Sequence, residues 1–139
     1  GSVVLPGAAQ AAAYLADRPG RILLATGAKE LPAFAALDPQ RLYPRVLPTA
    51  AGIAACETAG IPHRNILALQ GPFTTELNVA LLRQFAIAYL VTKDGGAAGG
   101  FAEKAEAAAQ CGVQLVVLLR PEEQGENTET ILQRCKELL

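Results

Sequence analysis

Histidine and cysteine are scarce in this chain, and their scarcity narrows the chemistry it can carry. In 139 residues there is one histidine, His63, and three cysteines, Cys56, Cys111 and Cys135. The cysteines are far apart and form no CxxC pair, and His63 has no Cys or acidic residue at ligand spacing. That pattern speaks against a structural zinc site, and no metal is expected. An odd cysteine count with no disulfide framework fits a reducing compartment, so a cytoplasmic location is expected. Each thiol reads as a small buried hydrophobe. Aromatic residues make up only 5% of the chain, which suits close helix-on-sheet packing better than an aromatic ligand cage. Basic residues number 12 against 13 acidic ones, for a net charge of -1, and nowhere do they cluster. A nucleic-acid surface needs a basic patch, so no nucleic-acid partner is expected. The longest clean apolar runs, such as Leu115-Val116-Val117-Leu118-Leu119, are of strand length. A membrane helix needs about 20 residues, so no membrane partner is expected. The Ala-rich stretch from Ala8 to Ala13 lacks a basic n-region and does not read as a signal peptide. Missing too are a GxGxxG fingerprint, a Walker loop, a nucleophile elbow, paired catalytic carboxylates and a Ser-His-Asp set. A receiver domain would need acidic residues where Ala25-Thr26 and Leu69-Gln70 stand, which removes that reading.

What the chain does have is apolar content, 51% of it, mostly Ala, Leu and Val. Gly1-Ser2 reads as a tag-cleavage remnant, and residues 3–139 as a single domain with a real core. The apolar period switches repeatedly between strand-like runs and helical spacing. Helices are expected over residues 6–18, 30–37, 50–58, 75–85, 101–111 and 128–138. Strands are expected over 21–26, 42–47, 65–69, 88–92 and 115–119. Pro44 cannot donate to a sheet ladder, so its strand is expected to lie at an edge or to start late. Pro32 is tolerable only in the first turn of its helix. Alternation of strands with short helices implies βαβ units. The expected fold is therefore α/β: a doubly wound, Rossmann-like three-layer sandwich with a mainly parallel five-stranded sheet.

Four of the strands run into tight small-residue loops and then into helices, and such loops gather at the carboxyl edge of a parallel sheet, where ligands bind. The first is Thr26-Gly27-Ala28-Lys29. Gly27 allows close approach, and Lys29 sits in a first helical turn, where the dipole disfavours a cation. It reads either as a ligand for an anion or as an exposed helix-start lysine. The second is Arg45-Val46-Leu47-Pro48-Thr49. Here Thr49 fits an N-cap, and Arg45 is either a carboxylate partner or surface charge. The third is Gln70-Gly71-Pro72-Phe73-Thr74, in which Phe73 either offers a face to a planar ligand or staples the next helix. The fourth is Thr92-Lys93-Asp94-Gly95-Gly96-Ala97-Ala98-Gly99-Gly100. So many glycines let the backbone approach a ligand closely, the following helix start suits an anion, and Lys93 adds a full charge. His63, in a loop entering a strand at the opposite end, reads as structural.

Taken in order, these loops resemble the precorrin-6A reductases of cobalamin biosynthesis. The resemblance is carried by Thr26-Gly27-x-Lys29-x-Leu31, by Arg45-Val46-Leu47-Pro48-Thr49, and by Leu69-Gln70-Gly71-Pro72-Phe73-x-x-Glu76-Leu77-Asn78. It continues through Val91-Thr92-Lys93-Asp94-x-Gly96-x-x-Gly99-Gly100, with Glu103-Lys104 and Val116-Val117-x-x-Arg120-Pro121 trailing. Gly95 stands where that family is expected to carry Ser or a similar residue. Members are about twice this long, with two Rossmann-like halves around a cleft, so the chain resembles the C-terminal half and lacks its N-terminal partner domain. The resemblance implies NADPH as cofactor and reduction of a double bond of the tetrapyrrole precorrin-6A, or of its cobalt-bearing counterpart, to give precorrin-6B. The rival reading is a non-catalytic nucleotide- or anion-binding α/β module.

Overall fold

The structure, a computed structural model, describes residues 2–93 and 100–119. Six strands form one sheet: β1 (Val3–Leu5), β2 (Arg21–Ala25), β3 (Leu42–Val46), β4 (Leu67–Ala68), β5 (Ile87–Lys93) and β6 (Gln114–Leu118). Their spatial order is β1-β6-β5-β2-β3-β4, and every pairing is parallel. The helices are α1 (Ala8–Leu15), α2 (Ala50–Thr58), α3 (Thr75–Gln84) and α4 (Phe101–Cys111), with short 3-10 turns at Ala28–Phe34, Pro39–Arg41 and His63–Asn65.

Strand alternation sorts the core into two faces. Ile22 and Leu24 of β2, with Val116 and Leu118 of β6, join α1, α2 and the Ala28–Phe34 turn, where Phe34 is fully buried. Leu23, Leu115 and Val117 point the other way and pack with Leu82 of α3 and Ala107 and Ala108 of α4. Small residues on α4 let that helix sit close to the sheet, and each large apolar side chain so buried contributes roughly 1.5–3 kcal/mol. The expected doubly wound three-layer sandwich is therefore observed.

The sheet differs from expectation in three ways. It has six strands, because Val3–Leu5 pairs with β6 in register Val3↔Val116 to Leu5↔Leu118. The strand carrying Pro44 is internal, between β2 and β4. Proline is tolerated there because β4 is only two residues long and pairs with Arg45 and Val46, so Pro44 lies beyond that ladder. Finally, the segment expected as a helix from Glu30 is a 3-10 turn starting at Ala28, which places Pro32 past its first turn. The helix expected over 128–138 lies outside the described residues.

From β2 the chain moves outward through β3 and β4, then returns to the far side of β2 for β5 and β6. The direction of winding therefore reverses between β2 and β5, which is where an open α/β sheet parts its loops and leaves a crevice.

Candidate functional site

The crevice opens at the carboxyl ends of β2, β3 and β4, beside the start of α4. Two contiguous cavities of about 430 and 450 Å³ fill it and share Arg45, Gly71, Phe73 and Lys104. The first is completed by Pro72, Asn78 and Gly100. The second runs along Gly27, Ala28, Leu47, Thr49 and Gly52. Backbone constraints shape both. Gly52 lets α2 start against the end of β3, since a Cβ there would lie 2.7 Å from the Leu47 carbonyl oxygen. Gly100 takes a left-handed conformation (φ +70°) and caps α4 with no side-chain acceptor, which leaves the helix's first N–H groups without a side-chain cap among the described residues. The starts of α2 and α3 at this edge are capped by hydroxyls: Thr49 accepts from Gly52 N, and Thr74 accepts from Leu77 N, both at 3.0 Å.

Arg45 is the centre of the cleft. It is buried at the end of β3, and its Nη1 donates to Asn78 Oδ1 at 2.9 Å. Asn78, itself buried, donates from Nδ2 to the Thr74 carbonyl at 2.8 Å, so the arginine is anchored to the α3 cap. The Phe73 ring covers the guanidinium face at 4.1 Å. Burial lowers the Arg45 pKa to about 10, still far above neutral. Lys104, from the first turns of α4, is equally buried. Burial, with the Arg45 charge adding to it and Glu103 opposing it, pushes the Lys104 pKa down to about 8. Among the described residues Lys104 has no hydrogen-bond or ion-pair partner, and Arg45 has no acidic one.

The other sequence candidates distribute around this centre. Lys93 ends β5 and pairs with Glu30 at 3.4 Å; it lines neither cavity. Thr92 is buried, its hydroxyl directed at the Lys93 carbonyl at 3.3 Å. Thr26 is also buried, and its hydroxyl has no partner among the described residues. Lys29, Pro48 and Gln70 are exposed and line neither cavity. Phe73 acts as a lid on Arg45 rather than as an open face. Gly95, Gly96 and Gly99 lie outside the described residues, as does Cys135. Cys56 is a free buried thiol whose pKa burial raises, and Cys111 is free and half-buried. Exposed His63 sits 2.9 Å from Glu57, away from the cleft. No helix among the described residues is long and apolar enough to cross a membrane, and no cluster of three or more His, Cys, Asp or Glu is placed to hold a metal ion.

Sequence reasoning did not single out Lys104 or Asn78 as site residues. For Lys104 the signal was present: it lies at helical spacing from Phe101, Ala107 and Ala108, which makes it a lysine on an apolar stripe.

The family model for "Precorrin-6x reductase CbiJ/CobK" matches residues 3–136. The chain belongs to that family. The resemblance drawn from the four loops is thus borne out. Curated members that it matches include a cobalt-precorrin-6A reductase from Priestia megaterium, 38% identical over 81% of this chain and 46% of that protein. Another, from Methanothermobacter thermautotrophicus, is 42% identical over 62% of this chain and 28% of that one. Precorrin-6A reductase of Rhodobacter capsulatus is 31% identical over 84% of this chain and 44% of that protein. A solved structure, CobK precorrin-6A reductase, superposes with a TM-score of 0.70 at 29% identity, covering 86% of this chain and 47% of its own. The chain therefore spans less than half the length of these family members.

Proposed function

We propose that this chain is the C-terminal domain of a precorrin-6A reductase, an NADPH-dependent oxidoreductase that reduces a double bond of precorrin-6A, or of its cobalt counterpart, to the precorrin-6B form. The observation that carries this reading is a carboxyl-edge cleft with two buried cations that have no acidic partner among the described residues, on a chain whose relatives bear that reductase's name. The tetrapyrrole carries many acetate and propionate carboxylates, and NADPH carries phosphates. Arginine, lysine and an open helix start suit both. The reaction adds a hydride and a proton across the double bond, and bound NADPH would supply the hydride.

The chain's own residues hold and orient. Arg45, with the loops at Gly27, Thr49 and Gly71-Pro72-Phe73, forms one wall of the site, and Thr26 and Thr92-Lys93 flank it as further proposed site residues. Phe73 covers the Arg45 guanidinium at that wall, and orientation of the reactants accounts for catalysis without a nucleophile or acid–base pair. The N-terminal domain of the longer enzyme supplies the other wall, and the enzyme works in the cytoplasm.

Two measurements test this. In the longer enzyme, NADPH oxidation that depends on precorrin-6A or its cobalt form is expected; an enzyme that oxidises no NADPH with either substrate rejects the reading. In that enzyme Lys93→Ala is expected to lower kcat/KM by at least about tenfold, or roughly 1.4 kcal/mol. Unchanged kinetics would remove Lys93 from the site.

A further inference from the structure

We propose that Arg45 and Lys104 form one seat for a doubly negative group of the bound ligand, either a phosphate monoester or two neighbouring carboxylates. The reductase reading enters only in naming the ligands that could bring such a group. The seat itself follows from charge and burial.

Both side chains line both cavities. Each is more than nine-tenths buried, at 8% exposure. A buried cation without a counter-charge costs several kcal/mol after relaxation, and two that repel each other cost more. Proteins keep such an arrangement where a ligand relieves it. Neutralising it takes two negative charges, which favours a dianion over a singly charged group. The arginine is prepared for this role. Asn78 holds its Nη1 edge and Phe73 covers its face, so Nε and Nη2 remain as a fixed fork. Lys104 adds a movable point charge, and the uncapped start of α4 adds partial positive charge. Two charged groups act on Lys104, Arg45 from β3 and Glu103 on its own helix, and Glu103 forms no ion pair with it.

The test is equilibrium binding of NADPH, NADH and uroporphyrin III to this chain and to Lys104→Met at pH 7. At least one probe is expected to bind the wild-type chain and to weaken in the variant by about tenfold or more, as when one partner of a buried charge pair is truncated. Loss for NADPH with none for NADH assigns the seat to the 2′-phosphate. Loss for uroporphyrin assigns it to carboxylates. Lys104→Arg, which keeps the charge, is expected to recover most of the loss. Equal binding by wild type and Lys104→Met, or no binding of any probe by wild type, overturns the proposal.

If the variant fails to fold, the wild type alone still decides. Its affinity is expected to fall between pH 7 and pH 9 as the lysine loses its proton near pH 8, and a flat profile overturns the seat. Failure of the two readings is distinguishable. Lys104-dependent binding without turnover in the longer enzyme removes the reductase alone; turnover with Lys104-independent binding removes the seat alone.

Discussion

The two edges of the sheet treat their polar groups in opposite ways. At the amino edge Arg41, Arg21 and Asn65 are spent on backbone carbonyls. Arg41, ahead of β3, donates from Nε to the Gly20 carbonyl at 2.8 Å and from Nη1 to that of Leu15 at 3.2 Å, with Nη2 on the Arg18 carbonyl. Arg21 donates to the Phe85 carbonyl at 3.0 Å. Buried Asn65 donates to the carbonyls of Gln40 at 3.1 Å and Leu42 at 3.2 Å. At the carboxyl edge, among the described residues, the Arg45 side chain has one neutral hydrogen-bond partner, and the Lys104 ammonium and the buried Thr26 hydroxyl have none. Loops are fastened where the fold needs closing, and polar groups are left unspent where a ligand enters. Cations at the two edges thus mean opposite things, and their acceptors separate them.

Substitutions at the two edges sharpen this contrast. The largest effect is expected for Arg41→Ala, which strips three carbonyls of their donor. A loss of about 3 kcal/mol in denaturant unfolding follows from the usual worth of charge-assisted hydrogen bonds. Next is Asn65→Ala, which leaves two carbonyls unpaired in a buried turn, at about 2 kcal/mol by the same measurement. Wild-type stability in either variant would break the contrast from the amino side. The smallest effect has the opposite sign. Thr26→Val replaces an unpartnered hydroxyl by a methyl group and is expected to raise stability by up to about 1 kcal/mol. A clear loss there would mean that the hydroxyl has a partner in the fold.

Much of this was legible in the sequence, and for identifiable reasons. The runs Ile22-Leu23-Leu24 and Leu115 to Leu119 are apolar on both faces, as strands covered by helices on both sides must be. Thr49 and Thr74 cap the helices their spacing indicated. The four loop motifs located the cleft because a parallel sheet leaves nowhere else for them. Val3–Leu5 escaped notice because three residues carry no period, and only pairing with β6 makes them a strand. Pro44 pointed to an edge because proline reports a missing donor, not the length of the neighbouring strand. Lys93 and Lys29 drew attention as charges in loops, whereas Lys104 sat inside a helical pattern and was noted only within the Glu103-Lys104 pair of the resemblance. Its place on the apolar stripe with Phe101, Ala107 and Ala108 was the signal, while the extent of its burial depends on how closely α4 packs.

The most direct test of the central claim, that the cleft holds a buried cation kept without a partner, is the pH dependence of folding in the absence of ligand. Lys104 has its folded pKa lowered to about 8 from an ordinary 10.5. Between those values the unfolded chain binds the more protons, so this lysine makes stability rise with pH across that window. Below about pH 8 the charged lysine is a standing cost. Burial raises the Cys56 pKa above its ordinary 9.0 and works in the opposite direction at the alkaline end, so the informative quantity is the difference between wild type and Lys104→Met. Chemical denaturation of both chains at pH 7 and pH 9.5 measures it. The account predicts that wild type gains stability relative to Lys104→Met as pH rises. A difference that does not change with pH, or a variant much less stable than wild type at both values, would contradict it.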